Sequence, residues 1–537
     1  MVERRRLAAG GLTGLVAVLL AGCGGGGNGG REAAAYLEQA LAADVVELVN
    51  GDTVTLGEGT RAFYAARKEA PAWLDGDELT EQGKAVYEAL AASAAEGLDP
   101  QKYRYGAARV LRERLTNAED ADSLKPDVPR MLAELDLVLS EGMARFASDL
   151  AQGAIDPEAS GLDWRIPREQ APEEDVLASL ASGRAPAEIV AALRPKSLHY
   201  QRFVQAYGRY LELANRGAEW PQIPEGASVK AGETSPAVAL LRQRLAASPD
   251  PQEAALAQRG TQPDLYDAQL EQALKHFQER HSIDADGALG PATVRELNLT
   301  LDERMKEMRL NMDRWRWLPH ELGDRYVLVN VAGFELEVVE GGKAIEAMNV
   351  VVGQNNWRTP IFADTMEHVV VNPYWNVPKS IYDDEIAPAI ARDPNYLAAN
   401  NMERTENGLV RQRPGDDNAL GRFKFLFPNG DDIYLHDTPA KSLFSRTRRD
   451  FSHGCIRLER PRDLADLIVG KASSTSPEQI DAMLASGEEK WIKLDQPLPV
   501  YILYFTAWVQ EDGTVRFHHD VYGRDRQLEK QVERKLT

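Results

Sequence analysis

The chain has 537 residues, which at roughly 150 residues per domain predicts about three to four units rather than one. Hydrophobic residues at 43% and charged residues at 27% exclude wholesale disorder, a collagen-like repeat and a polytopic membrane protein. With 62 Lys plus Arg against 83 Asp plus Glu, the formal charge of −21 would repel a phosphate backbone, so nucleic acid is not expected as a partner.

The chain opens like an export signal. Arg4, Arg5 and Arg6 precede a run of 16 uncharged residues at 7–22, short for a bilayer span of about 20 residues but suited to a signal peptide's apolar segment. The run closes Leu20-Ala21-Gly22-Cys23, which resembles the lipobox of bacterial lipoproteins. That resemblance implies removal of residues 1–22, acylation of Cys23 as the mature N-terminus, and a periplasmic protein held to a membrane by lipid. Gly24 stands where Asp would retain a lipoprotein in the inner membrane, so the outer membrane is expected. The competing reading is a plain transmembrane anchor. Residues 23–30 are Gly-rich and read as a flexible tether.

Residues 31–216 are Ala-, Leu- and Glu-rich with helical spacing, as in Leu132, Leu135, Leu139, Met143 and Phe146, and are interrupted at Gly153, Pro157, Gly161 and Pro167. No metal-ligand or nucleophile spacing falls there, so 31–230 is expected to be a helical scaffold. A Pro/Gly-punctuated stretch, Trp220-Pro-Gln-Ile-Pro224 with Gly226 and Gly232, marks a boundary. Ser235-Pro236 then looks like an N-cap with proline at the first helical position, ahead of Val238, Leu241 and Leu245. A second helix is predicted from Asp267 through Leu270, Leu274 and Phe277, then a turn at Asp286-Gly287, then a third helix from Pro291. Phe277-Gln278 followed by Asp286, Gly287, Gly290 and Thr293 resembles the signature of the small three-helix peptidoglycan-binding domain, which would occupy 231–300. A three-helix packing module that binds no glycan is the alternative.

Residues 301–537 change to an alternating period. Segments 326–331, 334–339 and 348–352 read as strands with Gly341-Gly342 closing a hairpin, 369–371 and 433–436 continue the series, and 500–509 with 515–521 is read as a final hairpin. A polar insertion at about 378–418, with one short helical stretch near 383–390, is expected to be a lid or binding loop. The expected fold class is therefore multidomain α+β: a helical scaffold, a three-helix module and a mostly-β domain with a lid-like insertion.

The chemistry concentrates between residues 433 and 458. A cysteine thiolate is a strong nucleophile, yet at an ordinary pKa of about 8.5 the thiol is mostly protonated at neutral pH. His436, at a strand end, can take the Cys455 proton and return it, the arrangement that acyl transfer needs. Gly454 clears space for a substrate carbonyl, and the Gly454 and Cys455 N–H groups can receive an oxyanion. Ser452 and His453 adjoin the cysteine, and His453 ranks second as base. If Cys23 carries lipid, Cys455 has no disulfide partner.

Ser452-His453-Gly454-Cys455 with His436 upstream resembles the active-site signature of the L,D-transpeptidases of YkuD-type fold. The resemblance implies that Cys455 attacks the amide between the third and fourth residues of a peptidoglycan stem tetrapeptide, with His436 as base, Gly454 and Cys455 amides at the oxyanion and Tyr434 beside the acyl group. It further implies a thioester, 3-3 cross-links between stem peptides and acylation by carbapenems; neither cofactor nor metal is expected. Arg457 stands where many members have asparagine, a departure shared with the larger periplasmic subgroup, which also has a helical scaffold, a peptidoglycan-binding module and an insertion. Arg457 is the expected contact for a stem carboxylate, in a stretch, 411–462, that holds 11 basic against 7 acidic residues.

Other readings stay open. The same thioester can serve hydrolysis or protein-to-wall attachment, and the whole protein could be a catalytically silent wall-binding lipoprotein. A zinc site from His436, His453 and Cys455 lacks further ligands nearby; a structural, buried cysteine is the remaining alternative. His320, His368, His518 and His519 have no partners by spacing, and Trp315 and Trp317 are expected in the core or at a domain contact.

Overall fold

The computed structural model describes residues 28–120, 127–168, 173–260 and 262–536. Signal segment 1–22 and Cys23 lie outside the described residues. Tether 23–30 overlaps them only at its end, and there the expectation is corrected: Asn28 to Gly30 open a helix, Asn28–Ala42. Ala33 and Leu37 bury completely against the helix Val128–Gln152, and this anchoring outweighs the low helix propensity of the two glycines. No helix among the described residues is long and apolar enough to cross a membrane.

The chain adopts the multidomain α+β arrangement, with three apolar cores. The first surrounds the helix Val128–Gln152, which is buried on nearly all sides. Its interior carboxylates are matched by loop donors: Glu134 accepts the Val49 N–H (2.8 Å), Asp136 the Trp73 N–H (2.8 Å), and Glu141 the Gly57 N–H (2.9 Å). Small antiparallel pairs, Val45–Glu47 with Thr53–Thr55 and Leu74–Asp75 with Glu78–Leu79, interrupt what the sequence suggests is all helix.

The second core belongs to the module. Four helices form it rather than three: Pro236–Ala246, Pro251–Gln258, Ala268–Arg280 and Pro291–Leu297. The additional helix starts at Pro251 under an Asp250 cap whose carboxylate accepts the Glu253 N–H at 2.9 Å. Gln278 shows why its signature works: its amide donates to Asp286 Oδ1 (3.0 Å), the Ala288 carbonyl (3.0 Å) and Thr293 Oγ1 (3.1 Å), while its oxygen accepts the Gly287 N–H (2.8 Å). Gly287, at φ +69°, supplies the left-handed turn. These signature residues tie the turn to the helices.

The third core is built on a nine-stranded sheet. In chain order its strands are β1 (Arg325–Asn330), β2 (Glu335–Glu340), β3 (Lys343–Gly353), β4 (Phe362–Val371), β5 (Phe423–Leu426), β6 (Leu435–His436), β7 (Asp450–Ser452), β8 (Ile456–Leu458) and β9 (Lys490–Leu503). The spatial order is β7-β3-β8-β6-β5-β4-β9-β1-β2, and β2 pairs back onto β3, so the sheet closes on itself. Gly341 and Gly342, both at positive φ, make the two-residue turn between β2 and β3. The expected terminal hairpin 500–509/515–521 is corrected. Residues 500–503 belong to β9, between β4 and β1, and only Ala507–Val509 pairs with Val515–Phe517. A long apolar run is equally consistent with a central strand, and the sheet's demand for a partner between β4 and β1 decides it.

Helix Leu198–Asn215, within the expected scaffold 31–230, faces the third core: Tyr200, Phe203, Tyr207 and Tyr210 cluster with Trp315, Trp317 and the sheet. Trp315 and Trp317 are core residues, Trp315 stacking on Phe505 at 4.6 Å. The module docks on the small hairpin, with His281 stacked on Phe517 at 5.3 Å and Ser282 Oγ 2.9 Å from His518 Nδ1. Insertion 378–418 is more ordered than one short helix. Helical turns run through Lys379–Ile381, Ala387–Arg392 and Tyr396–Ala399, and Met402–Arg404 and Val410–Gln412 form a three-stranded sheet with Trp375–Asn376.

Candidate active site

Strand register brings the chemistry together. On β8, β6 and β5, Arg457 pairs with His436 and His436 with Lys424, so the three share one face of the sheet, while Leu435, Ile456 and Phe425 point into the core. By the same alternation Tyr434 and Cys455 lie on the His436 face. Cys455, His436, Tyr434, Gly454, Ser452, His453 and Arg457 all border one cleft of about 950 Å³.

Cys455 is half-buried and unpaired, with Sγ donating to the Asp432 carbonyl at 3.7 Å. Burial pushes its thiol pKa up, against the Tyr434 N–H and hydroxyl and the cations Lys424 and Arg457. His436 is buried, and burial first and Arg457 second push its pKa down to about 3. Its Nδ1–H donates to the Asp437 carbonyl at 2.5 Å, which fixes the tautomer and leaves Nε2 with a free lone pair. Burial thus disfavours the charged form of both the thiol and the imidazole in the resting site.

The loop before the cysteine departs from expectation in one respect. Gly454, at φ +110°, gives its N–H to Ser452 Oγ (3.1 Å), and Ser452 Oγ donates to the Cys455 carbonyl (2.6 Å). The Gly454 amide is therefore engaged with Ser452 instead of facing an oxyanion. His453 turns to the insertion, pairing with Glu385 at 2.9 Å, edge-on to Trp357 at 5.3 Å.

The basic stretch 411–462 is largely matched by carboxylates: Arg411 and Arg413 with Glu403, Arg422 with Asp416, Lys441 with Asp437, Arg448 with Asp450. Arg457 and Lys424 differ. Arg457 is mostly buried with a partnerless Nε, and Lys424 lies 3.9 Å over the Tyr434 ring. Burial lowers the pKa of both. The sequence reading passed over Lys424, which only strand pairing places beside His436. It also missed Asp163 and Arg165, which reach the cleft from before the module, Arg165 pairing with Asp431. No group of three or more His, Cys, Asp or Glu that could hold a metal is found among the described residues.

Closed sheet, cysteine cleft and docked module coincide with the comparisons with known proteins. Residues 324–483 match the "L,D-transpeptidase catalytic domain", 234–297 the "Putative peptidoglycan binding domain" and 58–206 the "Scaffold domain". The chain carries a YkuD-type L,D-transpeptidase catalytic domain together with a peptidoglycan-binding domain. It is homologous to a "Putative L,D-transpeptidase" of Haemophilus influenzae, 33% identical over 256 residues, covering 44% of this chain and 50% of the relative. The match thus spans half the relative's length. Among solved structures it is similar to an L,D-transpeptidase from Mycobacterium smegmatis (13% identity, 34% of this chain, 58% of the other, TM-score 0.18). Another is the L,D-transpeptidase of Xylanimonas cellulosilytica, residues 123–326 (16% identity, 52% and 99%, TM-score 0.17).

Proposed function

We propose that the protein is an exported, lipid-anchored L,D-transpeptidase that joins the third residues of two peptidoglycan stem peptides through a Cys455 thioester. The observation that carries this is the half-buried Cys455 thiol in a cleft shared with His436, whose Nδ1 is already committed to the Asp437 carbonyl. Cys455 Sγ attacks the carbonyl of the third residue of a tetrapeptide donor as His436 Nε2 takes the thiol proton. The tetrahedral oxyanion is received by the Cys455 N–H. Collapse expels D-alanine, whose amine takes the proton from His436, and leaves the thioester. An acceptor amine then attacks, gives its proton to His436, and the new amide forms as Sγ leaves and regains a proton.

Arg457 and Lys424, cations of the cleft with no carboxylate ion pair among the described residues, suit the carboxylates of the stem. Tyr434 lies beside the acyl group. Cys23 lipidation places the enzyme in the periplasm at the outer membrane, and carbapenems acylate Cys455. The test is the intact mass of the purified protein exposed to a tetrapeptide donor, together with muropeptide analysis. An acyl adduct on Cys455 and cross-linked dimers, both absent from Cys455→Ala, are expected. Wall binding without adduct or dimers from the wild type would leave only a wall-binding lipoprotein.

A further inference from the structure

Thr359 is fully buried, behind the stretch of cleft wall that includes Trp357, Arg358 and Pro360. Its hydroxyl oxygen accepts the Gly353 N–H at 3.0 Å, so its single hydrogen goes to its other partner, the Gly454 carbonyl, at 2.7 Å. We propose that Thr359 is a positioning residue: by holding the Gly454 carbonyl inward it turns the Cys455 N–H outward, to where the oxyanion forms. The inference rests on the acyl-transfer reading of Cys455.

The peptide unit links the two groups. In a trans peptide the carbonyl of one residue and the N–H of the next point in opposite directions, so fixing Gly454 C=O on the buried side fixes the Cys455 N–H on the cleft side. Ser452 holds the flanking units, accepting the Gly454 N–H and donating to the Cys455 carbonyl. Of the two amides beside the nucleophile, that of Cys455 is then the one available to substrate.

The approach is close enough to require glycine. A Cβ on Gly353 would lie 2.0 Å from the Trp357 carbonyl oxygen and 3.0 Å from Gly454 Cα. Thr359 is itself held, its N–H donating to the Tyr522 hydroxyl at 3.2 Å while that hydroxyl donates to the Gly353 carbonyl. A chain of hydrogen bonds thus runs from the C-terminal segment through Tyr522 and Thr359 to the cysteine's peptide. One misoriented donor suffices to slow acyl transfer, because oxyanion stabilisation depends on donor geometry at the developing charge.

The test uses the full-length protein and two reactions of one sulfur. Acylation by a tetrapeptide donor builds an oxyanion; alkylation by iodoacetamide, a displacement at carbon, builds none. In Thr359→Val, acylation is expected to fall about 10–100-fold while alkylation stays within about twofold. Thr359→Ser, which keeps the hydroxyl, is expected to recover acylation to within about threefold. Unchanged acylation in Thr359→Val, or equal losses in both reactions, overturns the proposal. If that variant does not fold, Tyr522→Phe loosens the Thr359 backbone and is expected to give the same split, smaller in size; equal losses there likewise overturn it. Absence of any adduct in the wild type sinks the acyl-transfer reading and this inference with it, and needs no variant to be seen.

Discussion

The protonation state of Cys455 can be read directly from the pH dependence of its alkylation. Burial pushes the thiol above the ordinary value of about 8.5, so at pH 7 less than about 3% is thiolate. His436, pushed down to about 3, is neutral throughout the working range and adds no inflection. Since the thiolate is the reactive form, the second-order rate of iodoacetamide modification should climb about tenfold per pH unit, or about 100-fold from pH 6 to 8. A preformed thiolate–imidazolium pair would instead give a plateau. The assay is loss of free thiol under pseudo-first-order conditions in a three-component buffer of constant ionic strength, with Cys455→Ala as the blank. Arg457→Gln sharpens it: losing a cation that favours the thiolate raises the thiol pKa further, so modification at pH 8 should slow. Less than a twofold change between pH 6 and 8 in the wild type would refute the neutral resting pair.

Two further outcomes follow from buried polar groups. His518, pushed down to about 3 mainly by burial, is neutral when folded but protonates near 6.5 when unfolded, so its contribution to stability is complete above about 6.5 and declines as pH falls toward 3. At pH 5 that loss is about 2 kcal/mol, and His518→Gln should narrow the stability difference between pH 7 and pH 5 by about that amount in denaturant titrations; parallel pH profiles for wild type and variant would count against it. Gln278→Met keeps the volume but strands the buried Gly287 N–H, while the Ala288 carbonyl keeps the Gly290 N–H and the Thr293 hydroxyl as donors, and should destabilise the module by about 1–3 kcal/mol in thermal or denaturant unfolding. A change below about 1 kcal/mol would mean that water replaces the lost bond.

Much of the fold was legible because local chemistry announces it. Ser235-Pro236, Asp267 and Pro291 mark helix starts, and Gly341-Gly342 marks the β2–β3 turn. The Cys455 neighbourhood was legible because glycine, histidine and cysteine stand close in sequence. Lys424 and Thr359 were not: each is an ordinary residue in its own stretch, and only pairing of β5 with β6, or of the 353–359 turn with the cysteine loop, gives it a neighbour. The placement of 500–503 inside the sheet was hidden for the same reason, since an apolar run does not name its partners.

Helix Leu198–Asn215 lies before the module in the chain, yet its aromatic side is sealed against the sheet that follows the module. A chain cut between residues 215 and 231 would therefore divide one greasy seam between two fragments, laying bare Tyr200, Phe203 and Tyr210 on the first and their counterpart surface around Trp315 and Trp508 on the second. Neither piece would be a self-sufficient body. The gene order of parts and the order in which they depend on one another for folding are different, and the nine-stranded sheet inherits its outer wall from the segment translated before it.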